Sequence, residues 1–350
     1  MRQGGQDRSK HRRRRSDLIA GMAGIAIGLA LAVAEPALAA DPNVVQSGGP
    51  TPEAPFVDRR EIVVPARGAE LVRIDNLLGR VGIRGGARPG EIHIVAEKRA
   101  ASPEALARLR VHYAAFESGE VQIDTRVELG GRERSLPLAG SGIDLWLEVP
   151  PEVAVEAKTF GGDVSASGLR AGAKLETTGG RIGVSDVRGG VVTHQLRGGQ
   201  RVAAVEGDVD LDGVEGDMDL RDVAGGRVDA RLVDGSIRAQ DVRADFVRLV
   251  TTTGEIVLLG MLRPAAHYDL RSYAGDVRVA AGDTPFQLRA RSALPVQTGS
   301  VALRGSRRDG EWLRAQYLGR RAAPRQKPAL LELSSTLARV VIQPFSSELQ

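Results

Sequence analysis

Short runs of alternating apolar and polar residues, separated by Gly, Pro and Asn breaks, occupy residues 61–65, 70–76, 79–84 and 91–97. Alternation places every second side chain on one face, so each run predicts a half-buried β-strand. Ser102-Pro103-Glu104 is the one good helix start, a capping side chain followed by proline at the first helical position, and it predicts a short helix ending near Arg110. Residues 113–116, 121–127 and 143–149 return to the strand pattern, and Pro150-Pro151 marks a sharp bend. The N-terminal part therefore reads as all-β with a single small helix.

After that bend a pattern of Gly, any residue, apolar, any residue, apolar recurs ten times, from Val164/Ala166 and Ile182/Val184 through Val202/Ala204 and Val209/Leu211 to Val277/Val279 and Val301/Leu303. The first apolar positions fall at 164, 182, 202, 209, 218, 228, 237, 256, 277 and 301, a cadence of about nine or twice nine. Strands lacking the glycine fill the longer gaps, at residues 173–177, 247–251, 268–272 and 286–290. A fixed period implies repeating units that bury their apolar faces against one another. Two strands in each coil of about 20 residues predict a β-solenoid or an elongated β-sandwich, with glycine at the corners because it takes positive φ without a Cβ clash.

Charge changes the picture only after the leader is read. The chain carries 48 basic and 44 acidic side chains, a formal net charge of +4. Residues 1–40 hold seven of the basic and three of the acidic ones, which leaves 41 of each in residues 41–350. That leader has a basic stretch ending at Arg15, an apolar run over 18–34, a Glu35-Pro36 break and the small-residue sequence Ala37-Leu38-Ala39-Ala40. This order predicts a signal peptide cleaved near Ala39/Ala40, a mature chain without a transmembrane segment, and a periplasmic or extracellular location. Residues 41–55, rich in proline and glycine, read as a disordered tether. The division expected beyond it is a β-rich part over 56–150, the repeat array over 151–305, a basic insertion or loop over 306–328 and a capping strand over 329–350. The absence of cysteine excludes a disulfide framework, thiolate metal sites and a lipid anchor at a lipobox cysteine.

The ordered combination of Asn76-Leu77-Leu78-Gly79-Arg80-Val81-Gly82-Ile83, Leu145-Trp146-Leu147-Glu148-Val149-Pro150, Thr159-Phe160-Gly161-Gly162-Asp163-Val164 and repeated Leu-x-Thr-x-x-Gly-x-Ile units resembles the bacterial putative-adhesin family of β-strand-repeat domains. The resemblance spans roughly residues 60 to 305. It implies an exported, non-catalytic β-solenoid whose role in that family is unsettled. The chain departs from the pattern near its end, where Leu337-Ala338 takes the place of a glycine corner before residues 339–342.

Three groups of residues are candidates for chemistry. Asp208, Asp210 and Asp212 mimic the opening of a calcium loop, but Val209 and Leu211 are needed in the core, which turns the aspartates into the outward face of a strand. With nine residues per half-coil, Asp210 should neighbour Asp229 one coil away. Exposed carboxylates also invite comparison with β-helix enzymes acting on acidic glycans. Against that, the chain shows no nucleophile elbow, zinc-binding histidine pair or phosphate loop, and His194, sharing alternation with Val192 and Leu196, reads as buried and hydrogen-bonded. The third group is basic: Arg307, Arg308, Arg314, Arg320 and Arg321, with Trp312 among them. The acidic stretch 206–222 lies far from it in sequence, so salt-sensitive self-association or binding to an anionic surface is expected. The function expected is thus adhesion, interaction or structural support in the envelope, with no cofactor, no catalytic residues and no nucleic-acid partner. A glycan-active enzyme and a self-assembling scaffold are the alternatives.

Overall fold

The computed structural model describes residues 55–128, 140–319 and 326–345. The signal segment, its cleavage site, the tether up to residue 54, Arg320 and Arg321 lie outside the described residues. The regular elements of the N-terminal part are β1 (Phe56–Pro65), β2 (Leu71–Leu78), β3 (Val81–Gly85), β4 (Glu91–Ala100), α1 (Pro103–Arg108), β5 (Leu109–Ala115), β6 (Glu120–Val127) and β7 (Gly142–Val149). Beyond Pro150 follow β8 (Ala154–Gly161), β9 (Val164–Leu169), β10 (Ala173–Gly179), β11 (Ile182–Arg188), β12 (Val191–Arg197), β13 (Gln200–Glu206), β14 (Val209–Glu215), β15 (Met218–Asp234), β16 (Ile237–Gln240), β17 (Arg243–Thr253), β18 (Ile256–Gly260), β19 (His267–Ser272) and β20 (Val277–Ala281). The C-terminal part holds β21 (Phe286–Ser292), β22 (Arg304–Asp309), β23 (Trp312–Tyr317), β24 (Ala329–Ser335) and β25 (Val340–Pro344). The expected all-β class with one short helix is what the chain adopts.

Helix α1 starts as its sequence dictates, with Ser102 Oγ accepting from the Ala105 amide at 3.1 Å and Pro103 opening the first turn. It ends at Arg108 rather than Arg110 because Leu109 turns extended and is buried in the sheet.

From β8 to β21 successive strands alternate between two parallel ladders, β15 entering both. The first ladder runs β5, β6, β2, β8, β10, β12, β14, the second half of β15, β17, β19, β24, β21, β23 and β22. The second runs β1, β4, β7, β3, β9, β11, β13, the first half of β15, β16, β18, β20 and β25. Pairing is parallel throughout the middle and antiparallel only at the outermost strands. Strand β15 continues round a corner into both ladders, so the 25 strands among the described residues belong to one hydrogen-bonded sheet. The inward-facing Val, Ile and Leu side chains of both ladders form a single core.

Register explains the one irregular spacing in the sequence. Ile182 pairs with Gln200 and Val184 with Val202, so Gln200, not Val202, occupies the first inward position of its copy. Gln200 is buried; its amide oxygen accepts from Thr193 Oγ1 and its Nε2 donates to the Asp212 carbonyl at 2.8 Å. The expected pair Val202/Ala204 is corrected accordingly: Ala204 is exposed with φ 52°, and Val205 takes the inward position. Gly168, Asp186, Asp222, Asp241 and Gly260 share this left-handed backbone at equivalent positions, each the fifth residue counted from the start of its strand. After the first four of these and Ala204, the next residue (Leu169, Val187, Val205, Val223 or Val242) turns inward at once. The bulge inverts strand parity just before the corner.

The opposite corner explains the Leu-x-Thr-x-x-Gly-x-Ile unit. In β10, Leu175 enters the core, Thr177 is buried and donates to the Gly162 carbonyl at 3.0 Å, and Gly180 makes the turn to Ile182. The same bond recurs from Thr159 to Gly79, Thr251 to Gly235, Ser272 to Gly254 and Ser335 to Gly275. Glycine is required at this corner because successive strands of the ladder pack backbone to backbone there. A Cβ on Gly216 would lie 1.5 Å from the Gly198 oxygen.

Both ends depart from simple winding. The pair β2/β3 lies between β6/β7 and β8/β9, although β6 and β7 come later in the chain. At the C-terminus β24 enters between β19 and β21, and β25 completes the edge beside β20. The expected tenth copy, Val301/Leu303, is therefore corrected: those residues lie outside any strand, and Val340/Ile342 pair with Val277/Val279 instead. The expected basic loop contains an antiparallel hairpin, β22–β23, which packs along β21, and the expected single capping strand is two strands. Among the described residues no helix is long and apolar enough to cross a membrane.

Candidate functional site

The outer face of the first ladder is built by the same alternation that fills the core. In β10, Leu175 and Thr177 point inward, so Glu176 and Thr178 point outward. Parallel register repeats each outward position on the next strand of the ladder and generates columns. One column runs Asp75, Lys158, Glu176, His194, Asp212, Arg231. Two residues further on, the flanking register pairs set a second column of Leu77, Phe160, Thr178, Leu196, Val214, Val233, Thr252 and Tyr273. Its six large apolar members are each 42–54% exposed. Eight levels at about 4.8 Å each make this column roughly 34 Å long. Isolated apolar surface residues need no explanation, whereas a column apolar at six of eight levels, broken only by Thr178 and Thr252, is the kind of exposed patch that marks an interaction surface.

The charged column beside it neutralises itself. Lys158 pairs with Glu176 at 3.1 Å, His194 Nδ1 lies 3.4 Å from Asp212, and Arg231 bridges Asp210 at 2.8 Å and Asp212 at 2.7 Å. Between the two columns, over β10, β12, β14 and β15, runs a shallow groove of about 420 Å³ whose walls include Glu176, His194 and Arg231 on one side and Leu196, Val214 and Val233 on the other. The reading of His194 as buried is corrected here: Val191, Thr193 and Gln195 hold the inward parity, and His194 is half-exposed on the groove wall. Its hydrogen bond to Asp212 holds the imidazole above its ordinary pKa and, with Arg231, holds the Asp212 carboxyl below its own.

The candidate calcium residues do not converge. Asp208 sits at a corner, where Oδ1 accepts from the amides of Gly226 at 3.0 Å and Arg227 at 2.8 Å. Asp210 and Asp212 share Arg231 on the outer face, and Asp210 does pair with Asp229 on the next strand of the ladder. Among the described residues no group of three His, Cys, Asp or Glu side chains is placed to hold a metal ion.

The basic candidates extend this same outer face. Inward Leu288 and Ala290 put Arg289 and Arg291 outward on β21, and antiparallel pairing sets Arg314 opposite Arg289 and Arg307 opposite Arg314. Like charges directly opposite are unfavourable unless paired. Asp309 pairs with Arg314 at 2.5 Å and Glu332 with Arg289 at 2.5 Å, while the guanidinium groups of Arg289 and Arg291 lie 5.4 Å from the centre of the Trp312 ring. Arg304, Arg307 and Arg308 have no acidic partner within 4 Å among the described residues, and all three are exposed.

Solved structures called adhesins share similarity with this chain. One is a putative cell adhesion protein from Clostridium sporogenes, 8% identical, with a TM-score of 0.23, covering 83% of this chain and 100% of that one. A putative adhesin from Bacteroides fragilis is 11% identical, with a TM-score of 0.32, over 83% and 98% of the two chains. A putative adhesin from Parabacteroides merdae is 9% identical, with a TM-score of 0.25, over 65% and 95%. No family model and no curated protein matches the sequence. The structural neighbours carry the adhesin name suggested by the motifs at residues 76–83 and 159–164.

The apolar column was missed from the sequence because its members stand one on each strand of the ladder, each beside a corner and far from the next along the chain. The available signal was the residue after each buried Thr, Gln or Ser of the repeat: Phe160, Leu196 and Tyr273 all occupy it.

Proposed function

We propose that this chain is a non-catalytic interaction module of the cell envelope, exported through its N-terminal signal, in which the two ladders wind as a β-solenoid. Its ligand is an extended acidic glycan of the envelope. The observation that carries the proposal is the apolar column Leu77–Phe160–Leu196–Val214–Val233–Tyr273, exposed along the outer face and ending towards a hairpin whose Arg304, Arg307 and Arg308 meet no acidic partner among the described residues. Sugar-ring faces would lie on the column, and carboxylate or phosphate groups would meet those three arginines, a bidentate recognition that guanidinium provides.

Co-sedimentation of residues 41–350 with isolated envelope fragments tests it. Replacing Phe160, Leu196 and Tyr273 together by Ser is expected to weaken binding about a hundredfold or more, because each change removes ~1–2 kcal/mol of apolar contact, with little change in the melting temperature. Arg307→Glu with Arg308→Glu should flatten the salt dependence. Undiminished binding by both variants would sink the proposal, as would release of reducing ends from acidic glycans by the purified chain.

A further inference from the structure

A second site lies at the N-terminal mouth of the core, where the outermost strands of the two ladders meet. Strand β4 alternates Ile92, Ile94, Ala96, Lys98 and Ala100 inward, so Lys98 occupies a position the pattern assigns to the core, and it is only 7% exposed. Beside it opens a cavity of about 360 Å³ lined by Arg60 and Ile62 of β1, Ala96 and Lys98 of β4, and Arg110 and Val111 of β5. Three cations thus share one cavity with three apolar side chains, Ile62, Ala96 and Val111.

Their compensation is incomplete. Lys98 Nζ is 3.7 Å from Asp58, beyond ordinary hydrogen-bond reach, and that carboxylate is already engaged by Arg60 Nε at 3.0 Å. Arg110 meets Glu128 at 2.8 Å on its outer side. An ammonium drawn this far into the core with one loose ion pair is under-compensated, and a charged group in that position beside a cavity is a candidate for meeting a ligand. Burial pushes the Lys98 pKa down, and Arg60 and Arg110 push it the same way while Asp58 opposes them. The side chains grade from an exposed rim, Arg60 and Arg110, to the buried floor at Lys98. That gradient draws an anion inward and strengthens its pairing as water is left behind.

We infer that this cavity binds a small amphiphilic anion, with a phosphate or carboxylate head on Lys98, Arg60 and Arg110 and a short alkyl chain against Ile62, Ala96 and Val111. The volume, near the low end of the ~300–1,000 Å³ typical of small-molecule sites, suits a short chain rather than a whole lipid. The site is independent of the outer face and does not depend on the glycan reading.

Calorimetric titration of residues 41–350 with octyl phosphate, octanoate, inorganic phosphate and octanol, with melting curves in parallel, tests the inference. Octyl phosphate or octanoate should bind and raise the melting temperature, inorganic phosphate should bind at least tenfold more weakly, and octanol should not bind. Lys98→Met, which keeps the volume and removes the buried charge, should melt at a higher temperature than the parent without ligand and lose at least tenfold in affinity for the anions. Arg110→Gln, at the rim, should lose affinity with no change in melting. Binding of octanol as tight as that of octyl phosphate, equal affinities for octyl and inorganic phosphate, no binding by any anion, or a Lys98→Met variant that binds like the parent would each overturn it.

Discussion

Gly179 and Gly180 are neighbours in the chain and opposites in what they tolerate. Gly180 has φ +147°, and a Cβ there would lie 2.1 Å from the Gly162 carbonyl oxygen; at Gly179 nothing lies within 4 Å of the added atom. Gly180→Ala should therefore lose ~2–4 kcal/mol, combining backbone strain with a clash that neither strand can relieve. Gly179→Ala should be neutral or gain up to ~1 kcal/mol by restricting the unfolded chain. Urea unfolding of the two variants checks both signs. His194 makes a second residue-scale prediction. Its pKa, raised from 6.5 by the bond to Asp212, gives stability that is full below pH 6.5 and is lost as pH rises through the raised value. The Asp212 pKa, lowered from 3.8 by the bond to His194, gives stability present above pH 3.8 and lost as pH falls through the lowered value. The pair thus contributes most between these limits, by less than ~1 kcal/mol because both groups are substantially exposed. The melting deficit of His194→Asn should be measurable at pH 5.5 and smaller at pH 8.5; an equal deficit at both would show that the ion pair is not its cause.

At the scale of the element, the strands were legible where strict alternation holds and misread where a bulge interrupts it. Ile182 and Val184, or Met218 and Leu220, follow period two and enter the core as expected. The fifth residue does not follow, because Asp186, Asp222 and Asp241 adopt the left-handed conformation that a short polar side chain tolerates. The dipeptides Asp186-Val187, Asp222-Val223 and Asp241-Val242 carry that signal, and Ala204-Val205 conceals it by putting alanine in the aspartate position. Gln200 conceals a core position in the same way, since its burial depends on Thr193 and the Asp212 carbonyl, which only the parallel register brings near. The basic segment was read correctly in charge and wrongly in form. The β22 segment is exposed along its whole length, and the short alternation Leu313-Ala315-Tyr317 in β23 finds its buried place only by pairing on the open edge of β21. Like the outer columns, that arrangement arises from neighbours distant in sequence.

Across the whole molecule, the two ends solve one problem in related ways. A parallel ladder exposes unpaired amides and carbonyls at its last strand, an invitation to aggregate. Here antiparallel strands close both ladders at the N-terminal end and the first ladder at the C-terminal end, with later or earlier parallel strands fitted inside them, β2 and β3 within β6 and β7 and β24 within β21. Strand β25 closes the second ladder in parallel beside β20 and, among the described residues, meets only a single bridge from Gln297 on its other side. These closures need contacts between residues far apart in sequence, which slow folding relative to the local winding between β8 and β20.

The backbone contact at the glycine corner makes the length of the molecule adjustable. From β10 to β14 the register offset is constant, Ala173 on Val191 and Val191 on Val209, so a duplicated segment presents to both neighbours what they already accept. Inserting a second copy of residues 182–199 after residue 199 should give a folded protein longer by about one strand spacing, ~4.8 Å, with its melting temperature kept or raised. Small-angle scattering and calorimetry would read both quantities, and a protein that fails to fold would show that the middle is less repetitive than its register. In such a molecule reach is a heritable quantity that gene duplication can alter in fixed increments, while the two closures are inherited unchanged.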